Sequence, residues 1–298
     1  MQLFPQTPQL RHHAHTHRDA ETFWALLYSV YELFFPRTCA SCLSYGQCMG
    51  LGRALCTRCD YLVRYSLVKV MRPKSRYALP PVFSAGAYTH ELARCILAFK
   101  NGGRTDLTEY FVTGLVRVAY EILGPLSSSP TKAMGMRNKT SSQQIYWVPI
   151  PSTAQSARRR GFVPAELLAQ QTLRQLRKTP LTETFEFQLG RFLRQKSRLS
   201  SATGQKLLGV SARRRRILDS MSIRPTLTSV LGRERDLRGK KCVLVDDVLT
   251  TGATLKAATS ILEKHGAHVI GAITVAAVPR KTSEETKRHN VETNLTQR

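Results

Sequence analysis

The chain has 298 residues, 42% of them hydrophobic, enough to bury one sizeable α/β core beside a small metal-stapled module. Its 45 basic and 20 acidic residues give a formal charge of +25, which asks for an anionic partner but predicts non-specific attraction far better than function. No stretch reads as a membrane span, and none has the basic start, long apolar core and cleavage site of a secretory leader, so the expected location is cytoplasmic.

Residues 1–20 carry His12, His13, His15 and His17 without apolar periodicity and read as a disordered tail, where clustered histidines bind metal only adventitiously. The amphipathic stretch Glu21 to Phe35 is too short to cross a bilayer and is expected as a helix packed on the protein. Cys39-x2-Cys42 and Cys56-x2-Cys59 follow, two knuckles separated by thirteen residues, close to the spacing of a four-thiolate zinc site. Such a site is structural, because four thiolates saturate tetrahedral zinc and leave no position for water. Disulfides or unpaired thiols are the alternative, disfavoured without a secretory leader. Cys48, between the knuckles, is expected to be a spare. Residues 21–65 thus form a helix and zinc-finger module, with residues 80–278 as the main domain. Cys95 and Cys242, in apolar surroundings, read as packing residues.

Val82 to Tyr88 is a predicted strand, followed by helices over Glu91 to Phe99 and Leu107 to Leu123. Gly124 to Gln144 is rich in Ser, Gly, Pro and Lys and reads as a mobile loop. Ile145 to Ile150 is a predicted strand and Ala165 to Leu176 a helix, while Thr182 to Gln205 has no clear period and reads as irregular chain, a flexible lid. Basic runs at Arg158 to Arg160, at Arg191, Arg194, Lys196 and Arg198, and at Arg213 to Arg216 can neutralise backbone phosphates, although little aromatic interleaving accompanies them. A solvated basic surface with a pyrophosphate site is the other reading of the same charge.

Lys241 to Leu255, KCVLVDDVLTTGATL, carries the most information. Cys242 to Val245 is a short β-branched run of the kind buried on both faces of a parallel sheet, ended by Asp246 and Asp247. Thr250, Thr251, Gly252, Ala253 and Thr254 form a small-residue turn whose N–H groups can converge on a phosphate. Leu255, Ala258, Ile261 and Leu262 then recur at helical spacing up to Gly266, placing the turn at a helix N-terminus. Adjacent strand residues face opposite ways, so the two carboxylates share one ligand only if the chain leaves extended geometry at Val248 and Leu249. Carboxylates accept from sugar hydroxyls and amides bind phosphate, so the run reads as a sugar-phosphate site. A generic strand–turn–helix with a Thr-rich cap is the plainer alternative, and the conjunction of apolar run, paired Asp and TTGAT argues against it. His268 to Ala277 returns as an apolar strand, and residues 279–298 read as a disordered tail.

This run resembles the signature of type I phosphoribosyltransferases. Preceded by zinc knuckles, and by Phe99-Lys100 with Gly103-Arg104, Val148-Pro149-Ile150-Pro151 and Arg160-Gly161-Phe162, the chain resembles the ComF family of competence-associated, phosphoribosyltransferase-like proteins over about residues 25 to 278. The resemblance implies an α/β fold with a mostly parallel sheet, flanking helices and a small N-terminal four-cysteine zinc module. It implies binding of phosphoribosyl pyrophosphate with magnesium and transfer of the phosphoribosyl group. Asp246 and Asp247, the candidate catalytic pair, would hold the ribose hydroxyls, Thr250 to Thr254 the 5-phosphate, and the Pro151-to-Arg160 loop the pyrophosphate. Lys100 and Arg160 are the candidate cations. The family name also implies a rival role, a non-catalytic component of DNA uptake that works with a helicase and single-stranded DNA. Val163 and Pro164, after Arg160-Gly161-Phe162, and Arg216 depart from the family's polar residues, so the acceptor does not carry over.

Overall fold

The computed structural model describes residues 38–45, 54–67, 79–127, 142–196, 221–225 and 235–279. The histidine-bearing tail, the Glu21–Phe35 stretch, Cys48, the Arg213 to Arg216 run and the C-terminal tail beyond Pro279 lie outside the described residues.

Five strands form one parallel sheet in the order β1-β7-β6-β2-β3. They are β1 (Val82–Ala87), β2 (Gln143–Pro149), β3 (Phe185–Leu189), β6 (Lys241–Leu249) and β7 (His268–Ala277). A separate antiparallel pair joins β4 (Leu193–Gln195) to β5 (Met221–Ile223). The helices are α1 (Thr57–Ser66), α2 (His90–Gly102), α3 (Thr108–Ser127), α4 (Ala154–Arg160), α5 (Pro164–Leu176) and α6 (Ala253–Lys264). The expected α/β class with a mostly parallel sheet is the class observed.

Alternation along β6 explains the two cores. Val243 and Val245 join α2, α3 and α5 on one face, while Cys242 and Leu244 join α6 on the other. A parallel strand covered on both sides must be apolar at every position, which is why Cys242 to Val245 shows no period-two pattern. Cys95 and Cys242 are fully buried in these cores, as expected of packing residues.

Three local expectations are corrected. The strand does not end at Asp246 and Asp247 but stays paired to Leu249, which registers with Ala277. Gly124 to Ser127 continue α3 rather than opening a loop, with Pro125 in the last turn, where the one intrahelical bond it removes leaves the rest of the helix intact; Gln143 already belongs to β2, and residues 128–141 lie outside the described residues. Thr182 to Gln205 contains β3 and β4 where irregular chain was expected. Phe185 and Phe187 point inward and Glu186 outward, a period-two signal only five residues long.

The described residues of the cysteine segment pack against the main domain. Cys39, Leu55, Cys56, Cys59, Val63 and Leu67 are buried in the same core as Phe83, Leu92 and Phe99. Polar bonds reinforce the contact: Arg94 Nη1 donates to Ser41 O at 3.2 Å, Tyr110 Oη to Asp60 Oδ1 at 2.8 Å and Arg117 Nη1 to Leu67 O at 3.1 Å.

Candidate functional site

β2 and β6 are neighbours, yet the chain leaves them in opposite directions across the sheet, β2 towards β3 through α5 and β6 towards β7 through α6. A crevice therefore opens at their carboxyl ends, the position where open α/β sheets hold ligands. Ile150 to Thr153 leave β2 there, and Thr250 to Gly252 leave β6 there.

On the β6 side, Gly252 stands in the left-handed region at φ 85° and forms the N-cap of α6. Among the described residues no side chain caps this helix, and Ala253 N–H makes a long 3.4 Å contact with Thr251 Oγ1. The first-turn N–H groups have no intrahelical partner, and the helix dipole adds a partial positive charge, so the turn can receive an anion. Thr250 and Thr251 are exposed, Thr254 is half-buried, and Gly252 and Ala253 are buried beneath them.

The two carboxylates do lie on opposite faces, since β6 stays extended through them. Asp247 continues the Val243–Val245 face, with 8% of its side chain exposed, and pairs with Lys100 Nζ at 2.7 Å from the end of α2. Asp246 continues the other face, and its Oδ1 accepts the backbone N–H of Asp247 at 2.9 Å. Loss of solvent around Asp246 pushes its carboxyl well above the ordinary range, and the neighbouring Asp247 pushes it further, with Lys100 acting the other way. Asp247 thus faces a cation, whereas the Asp246 carboxyl is pushed towards its protonated form, so the two acids of one strand end stand in unlike surroundings.

Of the two cations expected at this site, the structure brings Lys100 onto Asp247. Arg160 ends α4, before Gly161 at φ 78°, and its buried Nε has no hydrogen-bond partner among the described residues. Phe162 packs on Phe99 with ring centroids 5.4 Å apart, which sets the end of α4 beside the end of α2 that carries Lys100. Two residues escaped sequence reasoning. Thr274 registers with Asp246 and Ser84 with Thr274, and these fully buried hydroxyls bond to each other in the row that leads to Asp246. Their only sequence signal is a hydroxyl inside an apolar strand run.

The four knuckle thiols, Cys39, Cys42, Cys56 and Cys59, have all their sulfurs within 4.8 Å of one another. Cys42 Sγ and Cys56 Sγ are 3.8 Å apart, the edge of a tetrahedron with metal–sulfur bonds of about 2.3 Å and far longer than a disulfide. All four are free cysteines. Bonds from the Ser44 side chain and backbone lower the exposed Cys42 thiol to about 6, whereas burial raises Cys56 and Cys59. The donor set and its spacing fit zinc, and with four sulfur ligands such an ion would be structural.

Residues 158–294 match the family model described as phosphoribosyl transferase domain, a span that contains α5, β6, the acidic pair, the turn and α6. An adenine phosphoribosyltransferase of Mycobacterium marinum is 52% identical over 40 residues, 13% of this chain and 22% of that one. An orotate phosphoribosyltransferase of Coccidioides immitis is 36% identical over 55 residues, 18% of this chain and 23% of that one. The matched stretches thus span under a quarter of the length of these curated relatives. A solved hypoxanthine phosphoribosyltransferase from Staphylococcus aureus is 12% identical, covers 56% of this chain and 76% of its own, and superposes with a TM-score of 0.23. The chain is phosphoribosyltransferase-like in the part that carries the acidic pair and the turn. No described helix is long and apolar enough to cross a membrane.

Proposed function

We propose that this phosphoribosyltransferase-like chain binds phosphoribosyl pyrophosphate at the carboxyl ends of β2 and β6 and transfers its phosphoribosyl group to an acceptor. The observation that carries the reading is the acidic pair and the uncapped helix start on one strand end, with a cation on one of the acids. Asp247, paired with Lys100, and Asp246 would hold the two ribose hydroxyls, which requires the strand end to leave its extended geometry when the donor binds. The N–H groups of Thr250 to Thr254 take the 5-phosphate, and the loop Pro151 to Arg160 the pyrophosphate, with the unpartnered Arg160 Nε as a donor towards it. Magnesium, a hard cation served by oxygen ligands such as Asp246 and Asp247, would come with the donor and neutralise charge on the pyrophosphate. Zinc in the four-cysteine cluster would be structural. Over the whole chain the reading is that of a ComF-type protein, with the main domain at 80–278 and the zinc module at 21–65.

Calorimetric titration of phosphoribosyl pyrophosphate with magnesium tests this on the native chain and an Asp246→Asn/Asp247→Asn variant. Saturable binding that the variant loses is expected. A folded, zinc-loaded native chain that takes no heat from the donor would remove the reading.

A second role, contact with single-stranded DNA in DNA uptake beside a helicase, is favoured by one surface. Tyr61 and Tyr65, 68% and 70% exposed, stack with ring centroids 6.3 Å apart at an interplanar angle of 18°, and exposed Arg58 stands on the same helix. Stacked aromatics near arginine form a base-stacking platform. Tyr61→Ala/Tyr65→Ala should weaken single-strand binding at low salt about tenfold. Equal affinity in both proteins would dismiss this surface.

A further inference from the structure

The end of α2 holds two partners in opposite directions. Lys100 reaches Asp247, and Arg104, just beyond the left-handed Gly103, turns towards the cysteine knuckles. Its Nη1 donates to Thr38 O at 2.8 Å and its Nη2 to Ala54 O at 3.1 Å. Asp106 orients the guanidinium through bonds of 2.8 to 3.1 Å. Thr38 immediately precedes Cys39, and Ala54 lies just before Cys56. One carbonyl thus comes from each knuckle, and the knuckles are themselves tied by Ala40 N–H to Ala54 O at 3.0 Å.

A rigid guanidinium fork spans two carbonyls only when they stand at a fixed separation. A metal shared by both knuckles fixes that separation. With 24% of its side chain exposed, Arg104 cannot simply exchange those bonds for water where it lies, so losing either carbonyl displaces it. The displacement acts at Gly103, directly on the last turn of α2, which carries Lys100.

We propose that Arg104 is a positioning residue that couples metal in the four-cysteine cluster to the donor site. With metal bound it fixes the end of α2 and holds Lys100 on Asp247. Without metal that turn loosens, the charge on Asp247 loses its partner, and the donor binds more weakly. The proposal rests on the donor reading above. Because coupling between binding sites is reciprocal, the donor must raise metal affinity by the same factor that metal raises donor affinity.

The test uses the full zinc-loaded chain. Zinc affinity is measured at equilibrium against a chromogenic chelator, with and without phosphoribosyl pyrophosphate in excess magnesium, and donor affinity is measured alongside. Asp246→Asn/Asp247→Asn controls for zinc taken directly by the donor's phosphates. Arg94→Ala removes a docking bond to Ser41 O from the same helix and controls for a merely looser module. We expect the donor to raise zinc affinity about tenfold in the native chain and in Arg94→Ala, and by less than about twofold in Arg104→Ala and in the double Asp variant. A native chain that binds the donor with no change in zinc affinity overturns the coupling and leaves the donor reading standing. So does an Arg104→Ala chain with the full native shift. A native zinc-loaded chain that binds no donor overturns both. The native measurement decides the coupling even if Arg104→Ala fails to fold.

Discussion

Lys100 Nζ lies 2.7 Å from Asp247 Oδ1, while the adjacent Asp246 accepts the backbone N–H of Asp247 on its Oδ1. The two acids of one strand end are thereby made unequal. Lys100→Met leaves Asp247 buried without its cation and should cost about 2 kcal/mol of stability. Adding Asp247→Asn should recover part of that loss. Denaturant unfolding of the single and double variants measures it, and a Lys100→Met midpoint equal to the native one would show that the pair does not hold Asp247.

Asp246 sets a pH dependence of known sign. Its folded carboxyl is raised above the ordinary value, so the folded chain binds more protons than the unfolded one between about pH 4 and the raised value. Stability from this group therefore falls as pH rises through that window and is regained as pH falls. Asp246→Asn removes the penalty, so it should melt a few degrees higher than the native chain at neutral pH, with the gap closing towards pH 4. Thermal melts of the two proteins from pH 4 to pH 8 provide the measurement. A constant difference, or one that widens in acid, would contradict the assignment.

Metal removal should affect the whole chain. Cys56, Cys59, Val63 and Leu67 share one core with Leu92, Phe99 and Phe83, so the cysteine segment is expected to unfold together with it. Cys56→Ser, or a chelator, should lower a single cooperative transition rather than create an early second one. Differential scanning calorimetry distinguishes the two shapes, and a separate low-temperature peak would make the segment autonomous.

Gly86 tests how tightly the segment is docked. A Cβ at this position would lie 2.2 Å from the backbone oxygen of Ser66, at the end of α1. Backbone cannot yield as a flexible side chain does, so Gly86→Ala should push α1 from β1 and cost about 2 kcal/mol. Gly124→Ala, where the added carbon meets no atom of another described element within 4 Å, is the matched control and should be tolerated. Equal unfolding midpoints for the two variants would show that the contact yields.

The position of the acidic pair at a strand end, the glycine turn after it, the apolar strands and the grouping of the knuckle cysteines were legible in the sequence because each depends on neighbours within a few residues. A turn needs its glycine, a parallel strand its unbroken apolar run, and a four-thiolate site its spacing. The short edge strand β3 was not legible, since five residues with only two inward phenylalanines give too little pattern to separate strand from loop. Only the tertiary structure decided that Lys100 rather than a neighbour in sequence meets Asp247, that Ser84 and Thr274 line the row to Asp246, and that Arg104 reads one carbonyl from each knuckle. These contacts join residues far apart along the chain, and they exist because β1, β7 and β6 lie side by side and α2 crosses from the cysteine knuckles to the acidic strand end. Period and motif record what a residue needs locally; which distant partner meets that need is settled by strand order and helix packing.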